Sequence, residues 1–255
     1  MLMQGKKGLV IGVANRRSIA WAITQRVAEE GAQLALTYQN ERFGENVQEL
    51  AAKLENPLLL PLDVTSDEQI DAAFTKLQEE WGQIDFLVHA VAFALKQELE
   101  NDYIVTSREG YRIAQDISSY SLTALARAAR PLMKENGGSI LALSYLGGER
   151  VVPHYNVMGV AKAALEASVR YLAYDLGGER IRVNALSAGP IKTLAAAGIS
   201  GFSHMLEFHR QKAPLKKNTE LSEVADAGMF LLSSLSRGIT GQTLYVDGGY
   251  SIMGM

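Results

Sequence analysis

Gly8-Leu9-Val10-Ile11-Gly12-Val13-Ala14-Asn15-Arg16-Arg17-Ser18-Ile19-Ala20-Trp21-Ala22-Ile23 reads as strand, turn and helix in sequence. The apolar run ends at Gly12, and Ser18 suits the cap of a helix that runs to about Glu30 before Gly31 ends it. A turn of this kind opens free backbone N–H groups and a helix dipole toward an anion such as a pyrophosphate. The GxGxxG spacing of dinucleotide-binding turns is missing here. Only Gly12 stands in place, so these residues fit a plain strand-to-helix turn as well as a phosphate site.

Working outward, the alternation continues. Strands are expected at Gln33 to Tyr38, Leu58 to Leu62, Ile84 to Ala90, Ser139 to Leu143, Arg180 to Leu186 and from Thr243. Helices are expected at Asp67 to about Trp81, Ser118 to Met133 and Glu223 to Leu235, with another that begins near Tyr155 or Asn156 and runs to about Leu176. Strands that alternate with long helices imply an α/β fold, a single Rossmann-type doubly wound parallel sheet of about seven strands with helices on both faces. With 255 residues and 47% hydrophobic content, the chain suits one domain spanning 1–255. Ligands of such sheets lie beyond the carboxyl ends of the strands, here Gly12, Gln39, Asp63, Ala90, Ser144 and Tyr145. Asp63 is placed to meet an adenine amino group. Neither an acid nor a basic pair stands at the first positions after the second strand. Gln39 suits a ribose hydroxyl, Arg42 leaves a 2′-phosphate open, and NADH is the expected cofactor.

Composition excludes several classes. Twenty-five basic and 28 acidic residues leave a net charge of −3, which gives no global field for nucleic acid or an anionic membrane. No cysteine is present, so disulfides, thiolate nucleophiles and cysteine-held metals are out. His89, His154, His204 and His209 show no metal-binding spacing, and no metal is expected. No apolar run suits a membrane span, the first residues lack a signal-peptide core, and the expected location is the cytoplasm.

The stretch from Ser144 to Lys162 carries the chemistry. Gly147, Gly148 and Pro153 describe a loop feeding a helix, with Asn156 a suitable cap. Tyr155 and Lys162 are seven residues apart and share a helix face. An ammonium near that phenol is expected to lower its pKa from about 10 and make it a usable proton donor. Apart from a stripe of Lys162, Glu166 and Arg170 the helix is apolar nearly all round. A core helix explains most of it, and covering so apolar a surface on several sides suggests a homo-oligomer.

With these residues assembled, the chain resembles the short-chain dehydrogenase/reductases, and within them the bacterial enoyl-[acyl-carrier-protein] reductases. The resemblance runs nearly end to end and rests on Gly12-Val13-Ala14-Asn15 with Ser18-Ile19-Ala20, Asp116 to Ser121, Ser144-Tyr145-Leu146-Gly147, Tyr155 to Gly159 with Ala161-Lys162, and Ser187-Ala188-Gly189-Pro190-Ile191. Ordinary members carry tyrosine four residues before the lysine, where this chain has Met158, and an Asn-Asn-Ala-Gly turn where it has His89-Ala90-Val91-Ala92. Both departures match the enoyl subgroup.

The resemblance implies NADH-dependent reduction of the carbon–carbon double bond of a trans-2-enoyl chain on acyl carrier protein, in a homotetramer. It places Gly12, Ser18, Ile19, Gln39, Asp63, Val64, Ala90, Lys162, Ile191 and Thr193 at the dinucleotide, and Tyr145, Tyr155 and Lys162 at the chemistry. Ala92, Phe93, Tyr145, Tyr155, Met158, Phe202 and Met205 would meet the acyl chain. The stretch 191–212, with glycines at 198 and 201, reads as a lid, with Phe202, Met205 and Leu206 as the lining of its slot. Lys192, Arg210, Lys212, Lys216 and Lys217 form a basic patch for an acidic carrier. The competing readings are another short-chain reductase acting on a different enone or carbonyl, and a dinucleotide sensor without turnover.

Overall fold

Alternate residues of the central strands are apolar in both registers, and this fixes the layers. The computed structural model describes residues 1–193 and 201–254. Its strands are β1 (Lys7–Ile11), β2 (Gln33–Tyr38), β3 (Leu58–Pro61), β4 (Phe86–His89), β5 (Gly138–Ser144), β6 (Ile181–Ala188) and β7 (Thr243–Val246). All neighbours pair in parallel, in the order β3-β2-β1-β4-β5-β6-β7. The helices are α1 (Ile19–Glu29), α2 (Glu41–Ala51), α3 (Asp67–Trp81), α4 (Lys96–Glu100), α5 (Arg108–Gln115), α6 (Ser121–Met133), α7 (Asn156–Gly177), α8 (Phe202–Lys212) and α9 (Leu221–Leu232).

Leu9, Ile11, Leu87 and Ile140 point to one face, where they meet Phe74 and Leu77 of α3, Leu122 and Leu125 of α6, and Leu165 and Val169 of α7. Val10, Phe86, Val88 and Leu141 point to the other, against Trp21 and Val27 of α1, Val47 of α2 and Leu231 of α9. A parallel sheet has to be covered in this way because its crossover helices lie on both faces. Each fully buried leucine or phenylalanine contributes about 1.5–3 kcal/mol.

Local chemistry sets most boundaries. The side chains of Ser18, Asn40, Ser66 and Ser107 each accept a hydrogen bond from a backbone N–H in the first turn of α1, α2, α3 and α5, the usual way to satisfy an orphan donor. Gly82 ends α3 in the left-handed region, as a C-terminal glycine does.

Three helices differ from the sequence expectation at their ends. Helical structure reaches Met133 from Arg108, not from Ser118, because a π-helical segment, Asp116–Tyr120, joins α5 to α6. The serines that read as a helix start are inside it, and Ser121 Oγ donates back to Ile117 O at 2.7 Å. Asn156 does not cap α7. It lies at φ 42°, and its amide donates to Glu98 O and Asn101 O, at 3.3 and 2.7 Å. The last long helix begins earlier and stops earlier than expected. Glu223 accepts from Glu220 N at 2.9 Å, which starts α9 at Leu221, and Ser234–Ser236 form a separate 3-10 turn.

β1 lies between β2 and β4, and the chain leaves these strands in different directions, so a crevice opens at their carboxyl ends. Gly12 lies there at φ +103°, and a Cβ on it would come within 2.2 Å of Ala90 O. Gly12→Ala should therefore destabilise the fold by about 1–3 kcal/mol from backbone strain alone. The clash with β4 adds to this. Thermal denaturation should show the loss, and a wild-type melting temperature would contradict the close approach.

Candidate active site

The strand ends bring the expected dinucleotide residues to one edge. Ser18 Oγ donates to Asn15 O at 2.7 Å, which folds the Gly12 turn onto the start of α1. Ile19 and Ile191 pack against the cluster beneath that turn, and Val64 packs on the opposite one. At the far end of the edge, Gln39 Nε2 donates to Asp63 Oδ2 at 2.9 Å, and Asp63 Oδ1 accepts from Thr65 N and Thr65 Oγ1 at 2.9 and 2.7 Å. These bonds fix the aspartate at the mouth of β3. Ala90 follows β4, and Thr193 N donates to Ile191 O at 2.8 Å.

Tyr145, Tyr155 and Lys162 converge beyond β5. The Tyr155 ring meets Tyr145 edge-on, with centroids 5.0 Å apart and planes at 72°, a favoured aromatic geometry. The ring also lies close to Gly147, where a Cβ would approach Tyr155 Cδ1 to 2.4 Å. His154 and Asn156, on either side of Tyr155, both have positive φ, 63° and 42°. The backbone is strained where it presents this side chain.

Lys162 is 5% exposed, and its Nζ donates to Leu143 O at 2.6 Å. Burial pushes the ammonium down to about 8, while Glu166 works in the opposite direction. The expected effect on Tyr155 is not found. Its hydroxyl is pushed up, by burial first and then by Tyr145. Shared helix face put Lys162 near, but the ammonium turns to the end of β5, and desolvation of a phenolate prevails. Tyr155 is thus a neutral hydrogen-bond donor. Tyr145, raised to about 12 by burial and Tyr250, is one as well.

His89 is excluded as an acid. Its Nε2 lies 2.7 Å from Ser121 Oγ, which already donates to Ile117 O. Burial and the Lys162 charge push the ring down to about 3.

A cavity of about 410 Å³ extends from Tyr145 and is lined by Val151, His154, Pro190, Met205 and Phe208 among others. Met205 Sδ lies 3.4 Å from Tyr145 Oη. Met205 of α8 therefore lines this cavity, whereas Phe202 and Leu206 are not among its described lining residues. Residues 194–200 of the expected lid lie outside the described residues. Met158 is buried, with Sδ 3.7 Å from Ser118 Oγ, and Ala92 and Phe93 are exposed on the loop after β4.

Sequence reasoning gave Ser118 no role. Its hydroxyl accepts from Phe93 N at 3.0 Å and lies 3.2 Å from Phe93 O. It ties the loop after β4 to the π-helical segment and to Met158. A pair of serines inside an otherwise apolar helix was the available signal, and π segments often mark functional sites.

The residues fit a dinucleotide. Gly12 admits a close backbone approach, α1 presents its N-terminus, and Lys162 is a buried cation held by a neutral carbonyl. Among the described residues, no group of acids and histidines is arranged to hold a metal, and no helix is long and apolar enough to cross a membrane.

Comparison with known proteins shows the family. Residues 12–251 match the family described as Enoyl-(Acyl carrier protein) reductase. An enoyl-[acyl-carrier-protein] reductase [NADH] of Rhizobium meliloti is 54% identical over 100% of this chain and 93% of the relative. The FabI enzyme of the same description from Bacillus cereus is 52% identical, with 99% of each covered. The crystal structure of the Bacillus cereus reductase with NADP+ and indole naphthyridinone superposes with a TM-score of 0.98 at 52% identity, covering 100% of this chain and 99% of that one. The Anaplasma phagocytophilum reductase in complex with NAD gives 0.97 at 54% identity, covering 100% and 97%.

Ser118→Ala should release the Phe93 segment. Loss of these bonds is expected to cost about 1–3 kcal/mol and to speed hydrogen exchange at the Phe93 amide well above that of β4. Unchanged exchange there would mean that Ser118 does not hold the loop.

Proposed function

The chain belongs to the enoyl-(acyl carrier protein) reductase family, and from that premise we infer the division of labour in its cleft. It is an NADH-dependent enoyl-[acyl-carrier-protein] reductase, which converts a trans-2-enoyl thioester to the saturated acyl thioester in fatty-acid elongation. NADH supplies the hydride when bound. As the β-carbon of the substrate is reduced, negative charge gathers on the thioester oxygen. A donor aimed at that oxygen stabilises the enolate more than the ground state. Tyr155 fills this role as a neutral phenol whose orientation is set by Tyr145 and Gly147. The observation that carries the assignment is this tyrosine pair at the end of β5, beside Lys162. Lys162 offers its ammonium to the nicotinamide ribose. Gly12, Ser18, Ile19 and Ala90 cradle the pyrophosphate, Gln39 and Asp63 meet the adenosine, and Val64, Ile191 and Thr193 make further contacts along the dinucleotide. Met158 and Met205, with Ala92 and Phe93, border the acyl path.

Met158 weighs against an ordinary carbonyl-reducing site. The position four residues before Lys162, where such sites need a hydroxyl, holds a thioether packed on Ser118. Retention of both Tyr155 and Lys162 weighs against a sensor without turnover. We read 1–255 as one catalytic domain with a lid near 191–212, a reading supported by the contact of Met205 with Tyr145. A homotetramer and a cytoplasmic location belong to the same proposal. The first is supported by Tyr171 and Tyr174, 75% and 86% exposed on α7.

Tyr155→Phe should lower kcat about a hundredfold and leave NADH affinity, followed by nucleotide fluorescence, unchanged. Lys162→Ala should weaken NADH binding as well. Wild-type turnover in both variants would remove them from the mechanism.

The carrier-docking patch is narrower than its sequence count. Arg210 is paired with Glu207 at 2.7 Å, and Lys217 with Glu223 at 2.6 Å. Glu220 and Glu223 lie beyond the stretch that looked basic, and folding brings them back onto it. Lys212, 5.8 Å from the Phe208 ring centre, and Lys216 keep their charge on the surface beside the cavity. Lys212→Glu with Lys216→Glu should raise KM for carrier-bound substrate severalfold at low salt, and the difference from wild type should shrink as salt screens it. A coenzyme A thioester should be handled as by wild type. An equal loss on that substrate would mean that these lysines shape the cleft itself.

A further inference from the structure

Glu166 is a buried acid that the mechanism above does not use. It stands one turn after Lys162 on α7, and both are 5% exposed. The two side chains reach consecutive residues of one strand: Lys162 Nζ donates to Leu143 O at 2.6 Å, and Ser144 Oγ donates to Glu166 Oε1 at 2.5 Å. The end of β5 thus clamps a cation and an anion from the same helix face. A lone buried carboxylate is expensive, and so is a lone buried ammonium.

The other charged or titratable groups around the pair are few. Glu149, in the turn after Gly148, repels Glu166, and Arg170, one turn further on α7, attracts it. Tyr245 of β7 faces both Glu149 and Glu166, and His89 of β4 feels Lys162 but is neutral. Ser144, Ser187 and Tyr245 stand in register across β5, β6 and β7. The sheet therefore presents a row of hydroxyl-bearing residues where an apolar row would be expected. Glu166 is the acid that acts on Lys162.

We propose that Glu166 is a positioning residue for Lys162, holding it as an ammonium ion on the Leu143 carbonyl so that a cation faces the dinucleotide. This rests on the reading of Lys162 as a dinucleotide contact. The sign follows from the burial of Lys162. Its folded value, about 8, lies below the ordinary lysine value, so the charge is present below about pH 8 and is lost as pH rises through it. Removing the negative charge of Glu166 moves that loss to lower pH. An opposite charge nearby favours the ammonium, so its removal acts in that direction.

Glu166→Gln keeps an acceptor for Ser144 and removes only the charge. In the ligand-free protein, the Lys162 side-chain NMR titration, assigned by its loss in Lys162→Met, should have its midpoint about one pH unit lower in this variant. NADH affinity should be unchanged at pH 6 and severalfold weaker at pH 8. Glu166→Asp keeps the charge and should titrate near wild type even if its melting temperature falls. If both variants lose stability and neither moves the Lys162 midpoint, the acid is only structural and the proposal is overturned. If Lys162→Ala binds NADH as wild type does, the cofactor reading of Lys162 fails instead, and with it the consequence drawn for binding.

Discussion

A parallel sheet buried on both faces can gather polar side chains only at the ends of its strands, and this constraint organises the molecule. Leu9, Val10, Ile11, Phe86, Leu87 and Val88 are wholly committed to the two cores. Groups that must meet a charged ligand are therefore displaced to the carboxyl edge, where strands β1 and β4 give way to diverging connections. Gly12 lies where that divergence begins, and its contact with Ala90 O leaves no room for a side chain. The same edge carries Asp63, Ala90, Tyr145 and, through α7, Tyr155 and Lys162.

Burial also decides the electrostatics there. Five groups around the end of β5 move toward their neutral forms: Tyr155 and Tyr145 upward, Lys162 and His89 downward, and Glu166 upward. Desolvation heads the causes in each case. A cleft built this way suits a reaction in which charge appears transiently on the substrate, since neutral donors are already in place and little water competes with them. Lys162 is the group that must keep its charge against this trend, and its carbonyl partner and Glu166 both favour the charged form.

Orientation of the Tyr155 phenol comes from shape. Tyr155 is fixed between the Tyr145 edge and the bare backbone of Gly147, and its neighbours His154 and Asn156 take left-handed backbone angles that a relaxed helix start would avoid. Asn156 is held by the carbonyls of Glu98 and Asn101, so α4, distant in sequence, helps set where α7 begins. Ser118 plays a similar part from the π-helical segment by tying down Phe93. The cleft is thus supported from three separate stretches of chain.

The sequence by itself determined the strands, the alternation with helices, the limits of α3 and the convergence of Gly12, Asp63, Tyr145, Tyr155 and Lys162 on one edge. Those features rest on local periodicity, capping side chains and the rule that ligands sit beyond strand ends, all of which are written in neighbouring residues. Met158 likewise told in advance that the cleft departs from a carbonyl-reducing pattern. Only the tertiary structure decided what depends on residues far apart in the chain. Asn156 looked like a cap until the carbonyls of α4 claimed its amide. Lys162 looked like the tuner of Tyr155 until the end of β5 took its ammonium and burial reversed the direction of the phenol. Lys217 counted as part of a basic patch until Glu223 folded against it. In each case the side chain kept the chemistry visible in the sequence, but its partner was chosen by distance in space, which a linear spacing does not carry.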